Sequence, residues 1–203
     1  DRIGVAMKRA VAINGSPRTG GIVSQALDTA CDAARRAGFT VERFDLFDMH
    51  IAPCRGCMRC RPEAGCALPE DDAHRLCEAI RRADLIVIAT PTYWANMPGM
   101  LKTAFDRIVT TFMGESPAGI PQPRLKGRRA IVIAACSAPR LFDILTGQSR
   151  GAIRAVGRIL RTGGVRTRSL SISGTRRFAG RLPECSGRRI CSLTEAVCAK
   201  IRK

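Results

Sequence analysis

Apolar residues along this chain fall into two alternating patterns: short continuous runs, and longer stretches where they recur every three or four positions. Ala10-Val11-Ala12-Ile13-Asn14, ending in Gly-Ser-Pro, predicts a buried strand. Residues 22–37 place Ile22, Val23, Ala26, Leu27, Ala30, Ala33, Ala34 and Ala37 at helical spacing, and Gly38 closes the helix. Phe39 to Leu46 reads as a second strand. Asp71-Asp72 caps a helix to about Arg82, since acidic groups suit a helix N-terminus. Leu85-Ile86-Val87-Ile88-Ala89 is the clearest strand, apolar throughout and so covered on both faces.

Beyond it, Pro98 opens a helix to about Thr111, and residues 112–127 read as a long Gly-, Pro- and Ser-rich loop. Ala130 to Ala135 is a fourth strand. Residues 140–161 predict one amphipathic helix with Leu141, Ile144, Leu145, Ala152, Ala155, Val156 and Ile159 turned inward. Val165 to Ile172 is a fifth strand, and a final helix is expected near 192–201. Five strands alternating with helices predict an α/β fold, a doubly wound parallel sheet with helices on both faces. We divide the chain into this sheet domain, residues 1–172, and a basic C-terminal extension, residues 173–203, whose Cys185, Cys191 and Cys198 serve packing or an oligomer contact. Ligands on such sheets bind outside the carboxyl ends of the strands. The loops leaving those ends are 14–24, 90–97, 136–140 and the segment after the second strand.

That last segment carries the most specific chemistry. Cys54, Cys57, Cys60 and Cys66 form C-x2-C-x2-C-x5-C within thirteen residues. Thiolates are the preferred ligands of iron–sulfur clusters, and two-residue gaps let a tight loop aim three sulfurs inward. The turn to the fourth, Arg61-Pro62-Glu63-Ala64-Gly65, has the Pro and Gly it needs. Structural zinc sites more often split their ligands into two separated pairs. A disulfide framework is disfavoured in 203 residues with no visible signal peptide. A cluster, a zinc ion and a metal-free loop remain open on spacing alone. The other six cysteines are scattered and read mostly as small buried residues.

Two further loops suit a cofactor. Gly15-Ser16-Pro17-Arg18-Thr19-Gly20-Gly21-Ile22-Val23-Ser24 opens a helix, so its amides, with Ser16, Arg18 and Ser24, can hold a phosphate. It lacks GxxxxGK[ST] and GxGxxG, which excludes those phosphate-binding patterns. Pro91-Thr92-Tyr93-Trp94-Ala95-Asn96-Met97-Pro98 holds the single Tyr and single Trp, which suit a flat ring or plug a gap against the core.

Together these residues resemble a known family. Gly15-Ser16-Pro17-Arg18, Pro91-Thr92-Tyr93-Trp94 and Lys102…Asp106-Arg107 are similar to the NADPH-dependent FMN reductase branch of flavodoxin-like proteins. The cysteine run before Asp71-Asp72 resembles its iron–sulfur flavoprotein subgroup, over roughly residues 8–172. The resemblance implies strand order 2-1-3-4-5 and FMN on Ser16, Arg18, Gly21, Ile22, Val23, Ser24, Pro91, Thr92, Tyr93, Trp94, Asn96 and Met97. It implies a [4Fe-4S] cluster on Cys54, Cys57, Cys60 and Cys66, electrons moving between the two, and NAD(P)H as a donor. Members commonly carry Gly-Asn-Thr-Ser where this chain has Gly21-Ile22-Val23-Ser24, which removes two side-chain donors and leaves the amides. The rival within the family is a quinone or flavin reductase without a cluster.

Charge changes the picture of partners. Net charge is +17, yet residues 1–101 hold 13 basic and 12 acidic groups, and residues 102–203 hold 21 and 5. A one-sided excess suits an acidic partner such as a ferredoxin-like protein. Arg150, Arg154, Arg158 and Arg161 form an i, i+4 stripe that a nucleic-acid-binding regulatory module would also carry, though nucleic acid is disfavoured against the cofactor motifs. No apolar run approaches the ~18 residues of a membrane span. A soluble, cytoplasmic homodimer or homotetramer is expected. The two histidines, His50 and His74, form no catalytic triad pattern, so no catalytic side chain is assigned and the chemistry belongs to cofactors.

Overall fold

The apolar runs become the strands of one sheet, and the periodic stretches become its covering helices. The computed structural model describes residues 7–61 and 65–202. In chain order the elements are β1 (Lys8–Asn14), α1 (Ile22–Arg36), β2 (Phe39–Asp45), α2 (Asp72–Arg82), β3 (Leu85–Pro91), α3 (Gly99–Arg107), α4 (Val109–Phe112), β4 (Met113–Glu115), β5 (Pro121–Pro123), β6 (Arg129–Ala135), α5 (Arg140–Thr146), α6 (Gln148–Thr162), β7 (Arg166–Ile172) and α7 (Glu184–Arg202). The sheet order is β2-β1-β3-β6-β7, all parallel. This is the expected 2-1-3-4-5 order of five strands; β4 and β5 pair separately as a small antiparallel hairpin.

Alternation along each strand divides the core into two layers. Val11, Ile13, Ile86, Ile88 and Val132 face one side, against Leu76 and Ile80 of α2, Leu101 and Phe105 of α3, Phe112 of α4, and Val156 and Leu160 of α6. Ala10, Ala12, Val87, Ile131 and Ile133 face the other, against Leu27 and Cys31 of α1 and Ile190 and Val197 of α7. Each fully buried Leu or Ile contributes about 1.5–3 kcal/mol, so these layers hold the sheet rigidly. The registers align Asn14 with Asp45 and Ala89, and Ala135 with Pro91 and Ile172. The loops after all five strands therefore open on one edge, and strand order reverses between β1 and β3.

Four expectations are corrected. The single helix over 140–161 is two helices, because Gly147 adopts a left-handed conformation (φ 68°) and ends α5. Asp143 of α5 then caps the next helix, accepting from the Ser149 amide at 2.7 Å and the Ser149 hydroxyl at 2.7 Å. Leu141, Ile144 and Leu145 lie on α5 and are exposed, not turned into the core. The helix from Pro98 ends at Arg107, and α4 follows as a separate turn. The long loop 112–127 contains the β4–β5 hairpin, whose three-residue strands are too short to show a period. The final helix starts at Glu184, eight residues earlier than the apolar spacing suggested, and packs on α1. Among the described residues no helix is long and apolar enough to cross a membrane.

Candidate functional site

Two pockets open from the carboxyl edge, and their construction differs. The first forms where loops after β1, β3 and β6 converge. Asn14, at the end of β1, accepts from the Ser16 amide at 3.1 Å and donates to Asp45 at 2.7 Å. Ser16 Oγ accepts from the Arg18 amide at 3.2 Å, and the Gly15 amide donates to the Ala89 carbonyl at 2.8 Å. A Cβ on Gly15 would lie 3.3 Å from Thr90 Oγ1, so a residue without one lets the loop hug β3. The loop delivers the chain to Gly21, where α1 begins with no side-chain cap and no acid in its first turn. Its amides and the positive end of its dipole are free for an anion.

Opposite, the Thr92 amide donates to the Ala135 carbonyl at 2.9 Å, and Tyr93 and Asn96 exchange backbone bonds at 3.0 and 2.9 Å. The two residues between them, Trp94 (φ 51°) and Ala95 (φ 54°), are both left-handed, a turn usually built with Gly or Asn. The strain is held from below: a Cβ on Gly151 of α6 would sit 1.9 Å from the Ala95 carbonyl oxygen, so the turn rests directly on that glycine. The Thr92 hydroxyl is buried and meets no hydrogen-bond partner among the described residues.

The resulting cleft, about 490 Å³, is lined by Ser16, Arg18, Gly21, Ile22, Val23, Pro91, Thr92 and Tyr93 of the expected set. Its size suits a cofactor. Ser24 is buried beneath the turn, where its hydroxyl accepts from Arg43 at 2.9 Å. Met97 is buried, Asn96 Oδ1 accepts from the Met97 amide, and Trp94 stands 99% exposed at the turn's tip, so it plugs no gap. The cleft also gathers Ala135, Ser137, Thr175, Arg176 and Gly180, which the sequence reading missed. Ala135 ends β6 and Ser137 follows it, so the expected loop at 136–140 could have pointed to both. The other three come from a segment stapled to the first loop by Gln25, whose amide donates to the Gly20 and Gly180 carbonyls at 2.7 Å each.

The second pocket is built on side chains. Cys54, Cys57, Cys60 and Cys66 line it together with Arg55, Asp106 and Arg107. Cys54, Cys57 and Cys66 are exposed and Cys60 half-buried. The turn expected across residues 61–65 includes 62–64, which lie outside the described residues. What fixes this loop is Arg107, at the end of α3, with a side chain 1% exposed. Its Nη1 donates to the Ala52 carbonyl at 2.7 Å and to Asp71 Oδ2 at 2.5 Å, and Nη2 donates to Asp71 Oδ1 at 3.0 Å. Asp71 also caps α2, accepting from the Ala73 amide, while its own amide donates to His74 Nδ1 in a capping box. It accepts from the Ala52 amide at 3.0 Å as well.

One buried ion pair thus ties the entry of the cysteine loop to the start of a helix. Burial opposes the Asp71 charge, but Arg107 and two amides outweigh it and hold the carboxyl below its ordinary value. Burial likewise pushes the Cys60 thiol up, with the Cys54 and Cys66 sulfurs adding to the effect. His50 is exposed, and only its backbone engages Asp72.

The donor set is four soft sulfurs, which fits an iron–sulfur cluster. Among the described residues no three His, Cys, Asp or Glu side chains converge on one point as a single ion requires. The enclosed space between these residues is about 30 Å³, that of one water. Of the other cysteines, Cys31, Cys136 and Cys198 are buried, and burial raises the Cys31 thiol to about 11. Cys77 is half-buried, 2.7 Å from the Thr111 hydroxyl, Cys191 is half-buried and Cys185 is exposed.

The profile of the NADPH-dependent FMN reductase family matches residues 8–169. An iron–sulfur flavoprotein of Methanosarcina thermophila is 36% identical over 97 residues, covering 48% of this chain and 50% of the relative. The chain spans about half the length of the curated relatives it matches first. Among solved structures, NAD(P)H:quinone oxidoreductase from Methanothermobacter marburgensis aligns with a TM-score of 0.69 at 21% identity, covering 98% of both chains. An FMN-dependent NADH-azoreductase from Bacillus anthracis, solved with FMN, aligns with a TM-score of 0.68 at 16% identity, covering 97% of this chain and 100% of its own. At those identities the structural likeness is one of fold.

Proposed function

The chain belongs to the NADPH-dependent FMN reductase family, and from that premise we propose that it is a flavin-dependent oxidoreductase moving electrons between FMN and a [4Fe-4S] cluster. One observation carries the pairing. Helix α3 starts just after the loop that walls the flavin cleft and ends at Arg107 in the cysteine pocket. Eight residue steps of about 1.5 Å separate its ends by roughly 12 Å. A flavin supplies two-electron chemistry toward NAD(P)H and one-electron chemistry toward a cluster.

The residues act by holding. Ser16, Arg18 and the first amides of α1, at Ile22 and Val23, bind the FMN phosphate. With Ile22 and Val23 in place of side-chain donors, the backbone carries that role, and Arg176 adds a second charge to the cleft. Pro91, Thr92 and Tyr93 bind the ring, Asn96 and Met97 support their loop, and Trp94 stands exposed at its tip, within reach of a bound ring only from outside the cleft. Cys54, Cys57, Cys60 and Cys66 supply the four thiolates.

The exposed stripe Arg150, Arg154, Arg158 and Arg161 makes no salt bridge among the described residues and starts beside the Gly151–Ala95 contact. It offers an acidic, ferredoxin-like protein a seat near the flavin. Exposed Phe142 and Leu145 on α5 support the expected homodimer or homotetramer.

Anaerobic addition of NADH or NADPH tests the relay. Bleaching of the flavin followed by the paramagnetic signal of a one-electron-reduced cluster is expected. Flavin bleaching with no such signal assigns the chain to the reductases without a cluster.

A further inference from the structure

We infer that Arg107 is a positioning residue that sets the redox poise of the cysteine site, through its buried charge and through an Nε–H reserved for sulfur. The inference rests on the cluster proposed above. Arg107 lines the same pocket as the four cysteines. Its two terminal nitrogens are committed to Asp71 and the Ala52 carbonyl, whereas Nε is buried and meets no acceptor among the described residues. Buried donors are rarely left so, and each such orphan calls for a partner. A pure structural tie to Asp71 needs only the two terminal nitrogens. The third donor is surplus to it.

The neighbouring charges single Arg107 out. Asp106, also on the pocket, is neutralised by Lys102 at 2.6 and 2.7 Å. Arg61 is engaged by Glu115 at 3.0 Å, and Arg55 is exposed to water that screens it. Asp71 offsets part of the Arg107 charge from the side away from Nε.

Four thiolates give a [4Fe-4S]2+ core a net charge of −2, and uptake of one electron makes it −3. A fixed positive charge that is itself buried, as on Arg107, is screened less than an exposed one and favours the more negative form, as does a hydrogen bond to sulfur, and both raise the potential. Removing Arg107 should therefore favour the oxidised form, and removing Asp71, which tempers it, should favour the reduced form.

The test is an anaerobic dithionite titration, with reduced cluster counted by electron paramagnetic resonance, on the wild type, Arg107→Gln, Arg107→Lys and Asp71→Asn. At the wild-type midpoint, Arg107→Gln should lower the reduced-to-oxidised ratio at least tenfold, about 59 mV for one electron. Arg107→Lys, which keeps charge but loses Nε, should lower it by a smaller factor, and Asp71→Asn should raise it. Ratios in Arg107→Gln and Asp71→Asn equal to wild type overturn the inference. Should Arg107→Gln take up no iron, Asp71→Asn decides alone: a raised ratio supports the inference and an unchanged one overturns it. A wild type lacking iron and sulfide overturns the cluster reading itself, which separates that failure from this one.

Discussion

The proposed flavin cleft, walled by the loop that leads into α3, and the cysteine pocket, which holds Arg107 at the end of α3, are held in opposite ways. The cleft is shaped by backbone: strand ends in fixed register, amides at the start of α1, and a turn resting on Gly151. Its walls belong to the sheet and helix framework itself. The cysteine pocket is shaped by side chains on an exposed loop, pinned at its entry by Arg107 and Asp71. A preformed cleft recognises its cofactor, whereas a soft loop is ordered by the group it binds. Substitutions should therefore separate the two: those on the cleft change affinity, and those on the pocket change occupancy and fold together.

The largest separation comes from Cys57→Ser. It should abolish iron and acid-labile sulfide while flavin content stays at the wild-type level, read by iron and sulfide assays and flavin absorbance. Joint loss of both would show that the regions are not independent. Arg107→Gln should cost about 3 kcal/mol in urea unfolding, since it leaves a largely buried carboxylate unpaired. Gly151→Ala attacks the other end. Its methyl meets the Ala95 carbonyl, so about 1–3 kcal/mol of overpacking should displace the Tyr93–Asn96 turn and weaken FMN binding. Quenching of the single tryptophan, Trp94, reports that binding. Ser16→Ala should weaken FMN about tenfold, one hydrogen bond to a charged group, and leave iron untouched.

The smallest effect is acid sensitivity. The Asp71 carboxyl lies below its ordinary value in the folded chain, so its stabilisation is full above about pH 3.9 and is lost as pH falls through the folded value. Asp71→Asn should flatten the decline in urea midpoint below pH 4.

What could be read in advance follows the same division. The sheet was legible because continuous apolar runs such as Leu85–Ala89 admit one burial, and Asp71 announced its helix by capping chemistry. The break at Gly147 was hidden, since Leu141, Ile144 and Leu145 before it stay in helical phase with Ala152 and Val156 after it while facing solvent. The cysteines were plain from spacing. Arg107 was visible only as part of a family motif, because its burial depends on a carboxylate 36 residues away. Arg176 and Gly180 reach the cleft through Gln25, a contact spanning 155 residues that no local pattern carries.

The most direct measurement is the cofactor content of anaerobically purified protein. About one FMN, four iron and four acid-labile sulfide per chain are expected, with visible absorbance broader than that of flavin alone. One FMN with a purely flavin spectrum and no iron or sulfide would contradict it, leaving the cysteine pocket without the cluster assigned to it.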